Sequence, residues 1–370
     1  MKRESGAMLL NLNALRAFAA LCVVFYHITS DAGLDLGINI GTRGVDIFFV
    51  ISGFIITYAS SRSAEQFFTR RLIRIVPFYW AATLAVFAIV AVLPNLFRST
   101  RPDIVQLICS LFFIPRETDY AGLFPTLILG WSLNYEMYFY VAFAIALAVS
   151  KRWAPILCSA IIAAVLLAID ASGATHPSVT FYARGLVFEF VFGIAAFYTV
   201  RWIGQHREAM PSRAIGIPLL FLVAIAACVV LAAIEQAGGY GLPRQLSSGI
   251  PAFFLVTAMI LVEEIYAVST RNRTVYLVGE ASYILYLIHP YIVYGLLRTV
   301  FKHAGDWGTP AIVGLIVLLL AIATAIAVAI HLVFEKPLME SLRRRLLRPR
   351  VAKVADELHE PHAKAAPPPV

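Results

Sequence analysis

Ten stretches of this 370-residue chain are long and apolar enough to cross a bilayer, at about 12–30, 43–60, 76–97, 125–150, 153–170, 181–202, 214–234, 249–268, 281–301 and 310–334. A hydrocarbon core about 30 Å thick needs about 20 such residues in a helix. The whole chain is 60% hydrophobic and 14% charged, with a mean hydropathy of +0.79, whereas a soluble domain is about a quarter charged. The expected fold is therefore all-α, a polytopic integral membrane protein with about ten transmembrane helices. Cys22, Cys109, Cys158 and Cys228 lie within apolar runs at no metal-ligand spacing, so they read as small core residues and no metal site is expected. The first apolar run contains Arg16 and has no small-residue cleavage site after it, which argues against a signal peptide. Asp103 to Pro115 is too short to cross and should pack at the interface or re-enter.

Lysine and arginine set the orientation. Of 30 basic residues, 21 fall on the N-terminal side of the first span and on the segments that share its compartment, and 8 on the other face, with Arg16 set apart. This bias places both termini of a multi-pass membrane protein in the cytoplasm. The net charge of +8 then reflects topology and attraction to membrane lipid, and nucleic acid need not be invoked. Residues 1–340 form the membrane domain. Residues 341–370, basic and then proline-rich, read as a disordered cytoplasmic tail.

Polar residues inside apolar spans are costly and mark function or pairing. Arg16 and His27 are eleven residues apart, which puts them within about 20° of one helix face and roughly 16 Å apart along the axis. The plainer alternative is an arginine that snorkels and a histidine that bonds near the other surface. Arg43 and Asp46 fall at the depth of His27; Asp46 either orients the imidazole as a base or pairs with Arg43 one turn away. Ser52 and Gly53 allow close helix contact or the approach of a ligand. Arg70, Arg71 and Arg74 share one side of a turn and suit phosphate, although they also satisfy the positive-inside rule. Ser132, Glu136 and Tyr140 stack along one face of the fourth span, with Glu136 near the midplane. Ser282, Tyr286 and His289 do so in the ninth, where Pro290 loosens the helix. Glu189 and His331 are weaker candidates.

Together these motifs resemble the membrane acyltransferase-3 family. The resemblance rests on Arg16-x10-His27, Gly41-x2-Gly-Val-Asp-x-Phe-Phe-x2-Ser-Gly-Phe, Arg70-Arg-Leu-x-Arg-Ile-x-Pro-x-Tyr-Trp, Trp131-Ser-Leu-x2-Glu-x2-Phe-Tyr and Ser282-Tyr-x2-Tyr-Leu-x-His, in family order over about residues 10–337. Within the family the chain is most similar to bacterial exopolysaccharide O-acetyltransferases. The resemblance implies ten helices and transfer of an acyl group from cytoplasmic acyl-CoA, as co-substrate with no bound cofactor, to a hydroxyl of a glycan or lipid-linked oligosaccharide. Polysaccharide-synthesis machinery is the implied partner. Residues in expected roles are His27, Asp46 and Glu136 in catalysis, Arg16, Arg70, Arg71 and Arg74 on the donor, and Ser52, Trp131, Ser132, Tyr286 and His289 along the channel. The sequence lacks a Gly-x-Ser-x-Gly elbow, a His-Glu-x2-His pair and a Gly-x4-Gly-Lys loop, which removes support for serine hydrolases, zinc proteases and ATPases. A proton-coupled transporter built on Glu136, Glu189 and His289 is the alternative, and no internal repeat supports it.

Overall fold

The computed structural model describes residues 9–31, 41–94, 100–237, 241–299 and 308–347. They form helices and connecting turns, with no β-strand among the described residues. The long helices are α1 (Leu10–Asp31), α2 (Gly44–Arg62), α3 (Phe67–Val92), α5 (Trp131–Val149), α6 (Ala154–Ala171), α8 (Phe188–Gln205), α9 (Arg213–Gln236), α10 (Ile250–Tyr266), α11 (Arg273–Thr299) and α12 (Thr309–Ile330). Shorter ones are α4 (Ile104–Leu111), α7 (Pro177–Thr180) and α13 (Lys336–Leu346). Among the described residues nine helices are long and apolar enough to cross a membrane. α11, on the expected ninth span, is the tenth long helix: its 27 residues reach about 40 Å, but Glu280, Ser282, Tyr286 and His289 dilute its hydropathy.

Three boundaries differ from the sequence expectation. The amphipathic Arg70 to Arg74 stretch is continuous with the third span, because α3 runs unbroken through Pro77. The sixth span, Pro177–Gln205, is not one regular helix: short turns at Phe181–Ala183 and Gly185–Val187 precede α8, so Glu189, midway along the span, sits in the first turn of α8. The basic start of the tail continues α13 to Leu346; 348–370 lie outside the described residues. α4 is a short helix capped by Asp103 and fits the non-crossing segment.

Small residues decide which helices approach. Gly53 of α2 and Gly193 of α8 face each other, and a Cβ on either would overlap a backbone carbonyl of the other helix, at Phe190 and Val50 respectively. α1 lies along α11, where Gly279 rests against Asn13, and it also packs on α2. The N-terminus of α1 is capped from a distance: the backbone N–H groups of Leu10 and Asn11 donate to the Glu263 carboxylate of α10 at 3.1 and 2.8 Å. A carboxylate there satisfies orphan donors and complements the helix dipole. The core is rich in stacked rings, among them Phe139 on Phe190 with centroids 4.5 Å apart. Leu222, Ile225 and Val229 of α9 remain exposed, as lipid-facing residues should.

Candidate active site

A cavity of about 870 Å³ lies between α1, α2, α3, α5, α11 and α13. It gathers residues far apart in sequence: Arg16 from α1, Ser52 from α2, Arg70, Arg71 and Arg74 from α3, Ser132 and Glu136 from α5, and Tyr286 from α11. On α2 Val45, Phe48, Ser52, Ile55 and Ala59 recur at the helical period and line the space, joined by Phe49, Ile51, Phe54 and Ile56 beside them.

The charges in this cavity are unequally engaged. Glu136 Oε1 accepts from Ser52 Oγ at 3.1 Å and from Tyr140 Oη at 2.5 Å, which fixes the carboxylate against α2. Arg74 Nη1 donates to Glu335 Oε1 at 3.2 Å, and Glu335 Oε2 lies 2.6 Å from His331 Nδ1 across a π-turn, His331–Glu335, that joins α12 to α13. Arg70 donates to the carbonyl of Ser63 at 2.8 Å. Arg16 and Arg71 form no ion pair among the described residues; Arg71 sits over the Phe67 ring with its Cζ 5.8 Å from the centroid. Two guanidinium groups without carboxylate partners make the cavity a place where phosphate oxygens are favoured.

Beyond Tyr286, away from the arginines, α1 and α11 bring two histidines together. The rings of His27 and His289 have centroids 5.0 Å apart at 55°, and His289 is 6.5 Å from Tyr286 by the same measure. His27 and His289 are not among the cavity's lining residues; they stand past its end, on the side of Tyr286. Tyr286 is the link between the histidine pair and the cavity.

Asp46 goes elsewhere. Its two oxygens accept from Arg244 Nε and Nη2 at 2.9 and 2.8 Å, so the carboxylate expected to orient His27 is instead the anion of a bidentate pair. Asp46 belongs with Val50 and Gly53 on the stripe of α2 that meets α8, turned from the Val45, Phe48, Ser52 stripe. Nor does Arg43 pair with Asp46: its guanidinium binds Glu235 and donates to Ser248 Oγ at 2.7 Å. Trp131 is likewise outside the cavity lining, packed edge to face on Tyr135 at 6.1 Å. Ser282 lines the cavity but its hydroxyl donates a hydrogen bond to the carbonyl of Gly279 at 2.7 Å.

Sequence reasoning missed Arg244, Glu335 and Glu263 as partners. For the first there was a signal: a buried Asp46 demands a cation at its own depth. Glu335 is four residues from His331, on one helix face, which points to a pair.

Fold and site define a multi-pass membrane protein built around a basic cavity that ends near paired histidines. The chain belongs to the acyltransferase-3 family: residues 9–331 match that family, described as an acyltransferase domain. It is accordingly an acyltransferase. Among its relatives is the exopolysaccharide production protein ExoZ of Rhizobium meliloti, 32% identical over 329 residues that cover 86% of this chain and 96% of that protein. The acyltransferase MdmB of Streptomyces mycarofaciens is 27% identical over 90% of this chain and 92% of its own. The O-acetyltransferase OatA of Staphylococcus aureus is 29% identical over 160 residues, 40% of this chain and 26% of OatA. No solved structure matches the chain.

Proposed function

We propose that this membrane O-acyltransferase carries an acetyl group from acyl-CoA at the cytoplasmic face of the bacterial inner membrane to a hydroxyl of an exopolysaccharide or another cell-surface glycan. The observation that carries the reading is that Arg16 and Arg71, which form no ion pair among the described residues, line one cavity that reaches Tyr286, the neighbour of the His27 and His289 pair. Its likeness to ExoZ, an exopolysaccharide production protein, and to OatA, an O-acetyltransferase, supports a glycan acceptor and an acetyl donor. The lysine and arginine bias supports an orientation with the arginine end inside.

In this reading the CoA phosphates rest on Arg16 and Arg71 at the mouth, and the thin pantetheine arm extends past Glu136 and Ser132 toward Tyr286. Arg16 and His27 are separated by roughly 16 Å of helix, about half the bilayer core, and a tethered thioester spans that distance where a whole nucleotide would not. His27 takes the proton of the acceptor hydroxyl as its oxygen attacks the thioester carbonyl. The C–O bond forms, the C–S bond breaks, and the departing thiolate receives the proton from His27. The acceptor arrives from the opposite side, so the acyl group crosses the membrane without the donor crossing.

Sealed, oriented vesicles test this. Acetyl-CoA supplied only on the arginine side should acetylate a glycan held only on the other, and His27→Ala should lower the rate by about 10²–10⁴ in folded protein. Modification only when donor and acceptor share the arginine-side compartment would defeat the through-membrane reading.

A further inference from the structure

Coenzyme A ends in a nucleotide, and the cavity described above does not account for all of it. Arg16 and Arg71, two guanidinium groups with no ion pair among the described residues, match the diphosphate. The adenine, and the separate phosphate on its ribose, add a flat ring and further negative charge that need a place of their own.

A second cavity of about 620 Å³ lies between the C-terminal ends of α2, α8 and α10. Leu9, Phe54, Tyr58 and Arg62 line both cavities, so the two spaces share one wall. Arg62 is the last residue of α2, and its Cζ stands 4.3 Å from the centre of the Tyr58 ring. The Phe54 ring lies nearly parallel to that of Tyr58 at 6.0 Å and meets Phe197 edge to face. Aromatic rings and guanidinium planes are the surfaces on which a purine stacks. Arg201, one turn before the end of α8, lines the same space and forms no ion pair among the described residues. The two glutamates of the lining are engaged: Glu263 accepts from the N–H groups of Leu10 and Asn11, and the carbonyl of Glu264 accepts from Arg207. There is also room. A Cβ on Gly204, in the last turn of α8, would meet nothing within 4 Å among the described residues. The positive-inside rule accounts for arginines at this face, but not for a ring-lined hollow between them.

We infer that this second cavity is the subsite for the 3′-phosphoadenosine end of the donor: the base stacks against Arg62 and the neighbouring rings, and Arg201 and Arg62 hold the 3′-phosphate. The inference rests on acyl-CoA being the donor. It anchors the nucleotide at the cytoplasmic face while the pantetheine arm enters the first cavity. A lipid headgroup also carries phosphate, but it brings no base for the rings and has no reason to adjoin the donor cavity.

Calorimetric titration in phosphatidylcholine nanodiscs, with acetyl-CoA and with its 3′-dephospho form, tests the assignment. The wild type should bind acetyl-CoA about 10–100-fold more tightly, the worth of a charge-assisted hydrogen bond. In Arg201→Ala the two ligands should come within about three-fold of each other. Arg343→Ala, which removes a lining arginine of the first cavity on α13, should keep the wild-type ratio. Gly204→Trp takes away no charge but fills the space, so it should weaken acetyl-CoA binding by about ten-fold or more. Transfer from acetyl-pantetheine, which has no nucleotide, should stay within about two-fold of wild type in Gly204→Trp, and that also shows the variant to be folded. The inference is overturned if the wild type does not distinguish the two ligands, if Arg343→Ala abolishes the ratio and Arg201→Ala keeps it, or if Gly204→Trp binds acetyl-CoA as the wild type does. An Arg201→Ala variant altered only in its response to added phosphatidylglycerol would make the cavity a headgroup site and overturn it as well. Should the wild type bind no acetyl-CoA, the donor reading falls and takes the inference with it; tight acetyl-CoA binding with an equal ratio in every variant sinks the inference alone.

Discussion

Asp46 and Arg244, 198 residues apart, form a bidentate ion pair in which both carboxylate oxygens accept from one guanidinium. The Asp46 side chain is wholly buried, whereas that of Arg244 is 36% exposed. That asymmetry predicts unequal mutants. Arg244→Ala strands a buried carboxylate and should cost about 3–5 kcal/mol, while Asp46→Asn frees a cation that water reaches and should cost about 1–3 kcal/mol. Turnover per folded molecule should change less than ten-fold in Asp46→Asn, far short of the effect of losing a base. Thermal melts and single-turnover rates on the same samples check both points.

The donor arginines should divide by their partners. Arg16 and Arg71 form no ion pair among the described residues, so Arg16→Ala and Arg71→Ala should each weaken acetyl-CoA binding by about ten-fold or more, the worth of a charge-assisted hydrogen bond. Arg74 is engaged by Glu335. Its removal should chiefly lower stability, by about 2–3 kcal/mol, less than for an isolated buried pair because His331 still holds Glu335. Calorimetric titration with acetyl-CoA, set beside thermal unfolding, separates the two classes; equal losses of affinity in all three variants would refute the division.

Adjacent residues on α2 should differ in how much they destabilise. Gly53→Ala drives a methyl group into the carbonyl of Phe190, backbone against backbone, and should destabilise at the upper end of overpacking, about 3 kcal/mol. Ser52→Ala only removes the bond to Glu136, a loss of about 1 kcal/mol. Melting temperatures in one detergent or nanodisc decide.

The segment from Arg101 to Phe124 should be sensitive to acid. Arg116, 2.8 Å away, the backbone N–H of Gln106 and the hydroxyl of Tyr120 hold the Asp103 carboxyl down at about 2 from its ordinary 3.8. A lowered value means that the network's contribution is complete above about pH 4 and is lost as pH falls toward 2. Amide exchange of α4 should therefore rise over that window in the wild type. In Asp103→Ala, where α4 has already lost its N-cap at a cost of about 1 kcal/mol, the rise should be absent.

Much of the fold was present in the sequence, because lipid is an unforgiving solvent. Ten apolar runs and the helical period were enough to locate the spans and the Arg16, Ser52, Glu136 and Tyr286 stripes, since each stripe is a local property of one helix. The long polar helix α11 was legible for the same reason: Ser282, Tyr286 and His289 recur along one side.

What the tertiary structure alone decided was which stripe meets which. Asp46 and Ser52 lie on neighbouring stripes of one helix, and nothing in their spacing says that one turns toward α8 and Arg244 while the other turns toward Glu136 of α5. That choice was made by the Gly53 and Gly193 crossing, where two backbones touch and lock the rotation of α2. Glu263 beneath the start of α1, and His289 beside His27, were settled in the same way. Helical periodicity fixes where a side chain points relative to its own axis. Only the packing of one axis against another gives it a partner.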